Sequence, residues 1–131
     1  PIISERTEVK ELNYERAKKI IIEATEQSNQ LNPPEISETI KLKKFIEQKE
    51  KTSQLLFADV NAKNKIKFKD LNTEKPIVIL IGPEGDFSPN ERELIVSKSN
   101  TISFSLSKNI LRSDTAVISA ISLVNFILKE H

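Results

Sequence analysis

Cysteine, methionine and tryptophan are absent from this 131-residue chain, glycine occurs twice, and the single histidine is the terminal His131. Without cysteine there is no disulfide, no thiolate metal site and no thiol nucleophile. A lone histidine at a chain end, where residues fray, argues against imidazole catalysis. No apolar run reaches the roughly 18 residues that a membrane span requires, and the start lacks the basic-then-apolar order of a signal peptide. The chain therefore reads as soluble and cytoplasmic, with no membrane partner and no metal. Excess charge is missing too: 20 Lys and Arg against 19 Asp and Glu leave a net charge of +1, so any nucleic-acid contact is local rather than driven by a global basic field. Internal repeats and low-complexity segments are also absent. The missing methionine, with an apolar opening Pro1-Ile2-Ile3 that resembles the inside of a strand, fits either a processed start or a segment of a longer protein.

What is present suffices for one domain, 1–131, since 37% of the residues are hydrophobic. Residues 13 to 29 place Ala17, Ile20, Ile21, Ala24 and Ser28 on one face at helical spacing, with Asn13 as cap, and stop before Asn32-Pro33-Pro34. A second helix is expected over 39 to 50, with Ile40, Leu42, Phe45 and Ile46 inward. Gln54 to Val60 reads as a strand, and residues 61 to 75, polar and lysine-rich, as an exposed connection. Ile77-Val78-Ile79-Leu80-Ile81 has no polar alternation, the pattern of a central parallel strand covered on both faces. Ser88-Pro89-Asn90-Glu91 has capping-box spacing with proline at the first helical position, so a helix starts at 88. Thr101 to Leu106 alternates as a strand. The last helix, Ser113 to Lys129, is apolar round most of its circumference, more than one small sheet covers, which predicts a subunit interface. Strands separated by helices give an α/β class with a mostly parallel sheet.

Both glycines lie in Ile81-Gly82-Pro83-Glu84-Gly85-Asp86-Phe87-Ser88. A type I turn with Pro83 second, Glu84 third and Gly85 fourth explains Pro83 and Gly85. It leaves Gly82, which follows an apolar strand at the end where ligands of parallel sheets bind and where a missing side chain lets backbone approach them. A structural turn and a ligand site stand level on spacing alone. A second strand-end loop, Leu106-Ser107-Lys108-Asn109-Ile110-Leu111-Arg112, leads to a helix capped by Ser113 or Asp114. Ile110 and Leu111 either plug the core or line a pocket there, and Arg112 either pairs with a surface carboxylate or meets a ligand. The glycine spacing fits neither a phosphate loop nor a dinucleotide fingerprint, which disfavours an ordinary nucleotide-binding domain.

These two loops, in this order, resemble the paired signature of the small-subunit ribosomal RNA methyltransferase E family, the 16S ribosomal RNA uridine N3-methyltransferases of the SPOUT superfamily. The family pattern is I-G-P-E-G-G-[FL]-S followed by L-G-x-x-I-L-R-x-E-T-A. Ser4-Glu5-Arg6-Thr7, Glu23-Ala24-Thr25-Glu26-Gln27-Ser28 and Pro34-Glu35-Ile36 are similar to its S-E-R-S, E-A-x-E-Q-S and P-x-I segments. The chain departs from the pattern at Asp86, Ser107, Asp114 and Gln30. In the family, by this resemblance, an RNA-binding barrel and a first strand and helix precede the segment that matches Pro1 onward.

The resemblance implies a trefoil-knotted parallel sheet flanked by helices, S-adenosylmethionine as cofactor, ribosomal RNA as substrate and a homodimer. It assigns Phe57, Leu80, Gly82, Pro83, Glu84, Gly85, Leu106, Ser107, Ile110 and Leu111 to the cofactor pocket. Arg112 falls to the uridine or a phosphate, and Arg6 and Gln27 to RNA. Glu84 is either a base for the uridine imino proton or a cap for the following helix. The alternative is a non-catalytic remnant that folds as a dimer without methylating RNA.

Overall fold

A computed structural model describes residues 1–7, 13–27, 32–83, 86–106 and 113–129. Its centre is a parallel three-stranded sheet of order β4-β3-β5, where β3 is Gln54–Ala58, β4 is Ile77–Ile81 and β5 is Thr101–Phe104. A second, two-stranded parallel sheet pairs β1 (Ile2–Ile3) with β2 (Ile40–Lys41). Four helices complete the order: α1 (Tyr14–Gln27), α2 (Leu42–Lys49), α3 (Pro89–Ser97) and α4 (Ser113–Lys129).

Successive strand residues point to opposite faces, and that alternation divides the core in two. Leu55 and Phe57 of β3 and Leu80 of β4 meet Leu42 and Ile46 of α2, Phe87, and Ile95 of α3. On the other face Leu56 joins Ile66, Phe104, and Ala120 and Val124 of α4, with Ile77, Ile79 and Ile81 packed against them. The sheet is therefore a middle layer, with α2 and α3 on one side and α4 on the other. Leu55, Leu56 and Phe57 are at most 1% exposed. Truncating any of them to alanine costs about 2–5 kcal/mol.

The central strand is β3, not Ile77–Ile81 as its unbroken apolar run suggests. β4 flanks the sheet, and most of its residues are only partly buried. The short Leu-Leu-Phe run of β3 is framed by Gln54 and Asp59, whose polar groups are buried with partners: Gln54 donates to the Asp70 carbonyl and accepts from the Asn72 N–H, both at 2.7 Å. Its expected end at Val60 comes two residues early, since Val60 lies in an exposed turn. Ile40 belongs to β2 rather than to the second helix, because its N–H bonds to the Pro1 carbonyl at 3.1 Å. The connection after β3 is exposed only in part: Ile66 is buried and a 3-10 turn forms at Phe68–Asp70. β5 ends at Phe104, two residues short of the expected boundary.

Helix α1 is capped by Asn13, whose Oδ1 accepts from the Arg16 N–H at 3.1 Å. Its inward residues include Tyr14, Ala17, Ile21 and Thr25, whereas Ile20, expected on the packed face, is exposed. The Tyr14 hydroxyl ties the helix to the start of β2 through the backbone and hydroxyl of Thr39. The capping box at α3 forms as expected: Ser88 Oγ accepts from the Glu91 N–H and a Glu91 carboxylate oxygen from the Ser88 N–H, with Pro89 in the first turn. α4 buries Ala116, Ala120 and Val124 and leaves Val117, Ile118, Ile121 and Phe126 exposed.

Candidate functional site

The register aligns Ala58 with both Ile81 and Phe104, so Asp59, Gly82 and Ser105 leave the three strands side by side. After β3 the chain runs to the α4 face, where Ile66 packs; after β4 it runs to the α3 face. Neighbouring parallel strands whose connections part to opposite faces open a crevice at their carboxyl ends, the usual ligand position in such sheets.

The loop after β4 is bound tightly to itself. The Asp86 N–H bonds to the Pro83 carbonyl at 2.8 Å, while the expected turn positions Glu84 and Gly85 lie outside the described residues. Asp86 takes a φ of 59°, the left-handed region that glycine occupies without strain. Its carboxylate accepts from the Phe87 N–H at 2.8 Å, the kind of local bond that lets aspartate tolerate this geometry. Phe87 then folds back into the core, its ring 5.8 Å from that of Phe57 at a 53° tilt. This closure leaves little room at Gly82: a Cβ there would lie 3.2 Å from Asp86 Oδ1 and 3.3 Å from the Phe87 ring.

Beside the loop, a cleft of about 660 Å³ runs along the outer edge of β4. Its walls include Ile79 to Pro83 and Phe87 on one side, Ile2, Ser4 and Thr7 on another, and Val117 and Ile121 of α4. The Ser4-Glu5-Arg6-Thr7 segment is a turn closed three ways: Ser4 N–H to Thr7 Oγ1 at 3.0 Å, Thr7 N–H to the Ser4 carbonyl at 3.2 Å, and hydroxyl to hydroxyl at 2.9 Å. Glu91, already in the α3 cap, also accepts from the Glu5 N–H at 3.2 Å. One carboxylate thus fixes the Arg6 turn against the loop that begins at Gly82.

Of the residues assigned to the site, the structure brings Leu80, Gly82 and Pro83 together on the cleft and sets Arg6 on the adjoining turn. The Phe57 side chain lies in the core, 1% exposed, and its ring meets that of Phe87 from the loop. Leu106 packs its side chain with Ile66 and Phe104 on the α4 face rather than on the cleft. Glu84, Gly85, Ser107, Ile110, Leu111, Arg112 and the side chains of Gln27, Ser113 and Asp114 lie outside the described residues. At α3 Ser88 and Glu91 form the capping box, and the expected alternative of Glu84 as a cap lies outside the described residues.

The sequence reading missed an ion pair at the same strand ends, its acid buried and its arginine 38% exposed. Asp59, 3% exposed, receives Arg92 Nη2 at 2.5 Å and Nε at 3.4 Å, and also the Asn61 N–H at 2.9 Å. The Arg92 guanidinium is held above its already high ordinary pKa, chiefly by the hydrogen bond to Asp59, against the cost of its burial and with help from the charges of Asp59 and Asp86. A raised cation pKa contributes stability that is fully present below the unfolded value and is lost only as pH climbs through the folded one, so the arginine end of the pair keeps its charge on the alkaline side. The available signal was a lone acid directly after a strand, with an arginine on the first turns of a later helix.

A parallel α/β sheet with a closed glycine loop at its strand ends defines a ligand-binding domain, and comparison with known proteins specifies which: the chain belongs to the RNA methyltransferase domain family, whose model matches residues 1–125. It is 37% identical over 130 residues to Ribosomal RNA small subunit methyltransferase E of Rickettsia conorii, covering 97% of this chain and 52% of that protein. To the enzyme of the same name from Aquifex aeolicus it is 38% identical over 132 residues, 96% of this chain and 56% of that protein. The chain thus spans about half the length of these curated relatives. Among solved structures, Ribosomal RNA small subunit methyltransferase E of Neisseria gonorrhoeae, bound to S-adenosyl methionine, superposes with a TM-score of 0.82 at 27% identity, over 96% of this chain and 53% of that one. The expected SPOUT-type α/β class, with parallel sheets flanked by helices, agrees with the observed sheets and with these neighbours. No helix among the described residues is long and apolar enough to cross a membrane.

Proposed function

We propose that this chain binds S-adenosylmethionine at its strand-end loops and serves methyl transfer to N3 of a uridine in small-subunit ribosomal RNA. The observation that carries this reading is the Gly82–Ser88 loop, closed on itself at the carboxyl end of β4 and open to the cleft. Family membership and a relative solved with the cofactor bound support it.

The residues present fit such a cofactor. The cleft volume is within the range that takes drug-sized ligands, and its wall joins apolar Ile81, Pro83 and Val117 to the hydroxyls of Ser4 and Thr7. Bound there, S-adenosylmethionine supplies a methyl group already activated on a sulfonium. The protein's part is alignment of donor and acceptor, the main lever when the cofactor is activated. Glu84 is the proposed acceptor of the uridine imino proton. Arg112 is assigned to offset the resulting anion or to hold a phosphate, and Arg6 and Gln27 to contact RNA. Ile118 and Phe126, on the uncovered side of α4, are the proposed centre of a homodimer interface.

Calorimetric titration with S-adenosylhomocysteine, the product form, tests the reading. Saturable binding of one ligand per subunit is expected. Absence of binding to a folded sample overturns it in favour of the non-catalytic remnant. Gly82→Val, whose side chain meets Asp86 and Phe87, is expected to abolish binding and to cost about 1–3 kcal/mol of stability.

A further inference from the structure

Residues 60–69 contain four lysines, Lys63, Lys65, Lys67 and Lys69, and no acid, in a chain whose net charge is only +1. All four are exposed, while Ile66, between Lys65 and Lys67, is 6% exposed in the α4-side core and Phe68 is half-buried. The segment is pinned along its length. At its start, Asp59 accepts from the Asn61 N–H through its carboxylate and from the Ala62 N–H through its carbonyl. In the middle, the Asn64 carbonyl accepts from the Ser105 N–H at 2.8 Å. At its end, the Asp70 carboxylate accepts from the Lys67 N–H at 2.9 Å, and Gln54 holds the Asp70 carbonyl.

The two acids that frame the loop are therefore engaged elsewhere, Asp59 with Arg92 and backbone, Asp70 with backbone. Among the described residues none of the four lysines takes part in an ion pair. The result is a loop carrying four unneutralised positive charges, with an anchored backbone whose ordering is already complete before anything binds. It leaves the carboxyl end of β3 directly beside Gly82 and is bonded to Ser105 at the end of β5, so it stands at the same end of the sheet as the candidate cofactor loop.

We propose that this lysine loop docks the phosphate backbone of the substrate RNA beside the methyl-transfer site. The proposal rests on the RNA methyltransferase reading and adds to it the surface that holds the RNA. Lysine ammonium groups act there as point charges on phosphates, giving affinity that is independent of sequence and falls with salt.

The test measures binding of a fluorescein-labelled RNA hairpin by anisotropy, over a salt series from about 50 to 200 mM. It compares the unaltered chain with the variant Lys63→Ala/Lys65→Ala/Lys67→Ala/Lys69→Ala and with Lys51→Ala/Lys75→Ala, which removes two exposed lysines near the amino ends of β3 and β4. The loop variant is expected to lose at least about tenfold in affinity at the lowest salt and to flatten the slope of log K against log salt by about 2–3. The control is expected to change little, and S-adenosylhomocysteine affinity to stay the same in all three. An unchanged slope, an equal loss in the control, or no RNA binding by the unaltered chain overturns the proposal. Loss of RNA affinity in the loop variant alone, in a chain that never binds S-adenosylhomocysteine, upholds the docking loop and overturns the cofactor reading instead.

Discussion

Asp86 holds a backbone conformation that costs an ordinary L-residue about 1–2 kcal/mol, and it sits where the family pattern has glycine. Its bond to the Phe87 N–H offsets part of that cost. Asp86→Gly is therefore expected to leave stability unchanged or to raise it by up to about 1 kcal/mol, whereas Asp86→Val, β-branched and without the bond, should lose at least about 2 kcal/mol. Urea unfolding of the two variants checks both signs, and a valine variant as stable as the parent would refute the strained turn. At this scale the sequence was partly legible. The place of Gly82 after a strand was readable; that a side chain there would press on Asp86 and on a phenylalanine returning into the core was not, because those contacts exist only in the folded loop. For Asp59 and Arg92 the signal lay in their places, one beside a strand end and one on a helix start, and the spacing of two charges 33 positions apart does not by itself pair them.

Helix α3 shows how much of an element its first four residues decide. Ser88 and Glu91 satisfy each other's N–H groups, and Pro89 occupies a position whose N–H would have lacked a partner in any case. Ser88→Ala is expected to cost about 1 kcal/mol. Thermal melting would register this as a fall of a few degrees, and an unaltered midpoint would show that the cap is dispensable. Because these signals are local, the helix start was found without coordinates. Strand order was not, since β3 and β4 both read as apolar runs and only pairing partners distant in sequence determine which lies in the middle. Gln54 illustrates the difficulty: a polar residue looks like a strand boundary until its amide is seen bonded to the backbone of a packed loop.

For the whole molecule, the uncovered face of α4 makes the strongest demand. Ile118 is 68% and Phe126 63% exposed, and burying both against a second copy removes most of that apolar surface from water. Light scattering at micromolar concentration is expected to give twice the chain mass for the parent and the chain mass for Ile118→Glu/Phe126→Glu; a monomeric parent would refute the interface. The excess of apolar residues on this helix was visible in the sequence, and so was the α/β class. The cleft along β4 was not, because it is bounded by β1, α4 and a strand edge that no local pattern brings together.

Among the described residues every strand pairing is parallel, so none of these paired strands is joined by a tight turn. Leu55 cannot complete its ladder until Thr101 arrives, after the lysine loop, β4 and α3 have all been threaded past it. Assembly of this domain is thus governed by the closure of long loops, which makes for slow folding and leaves β3, its most deeply buried strand, open to solvent and to other chains until β5 comes home.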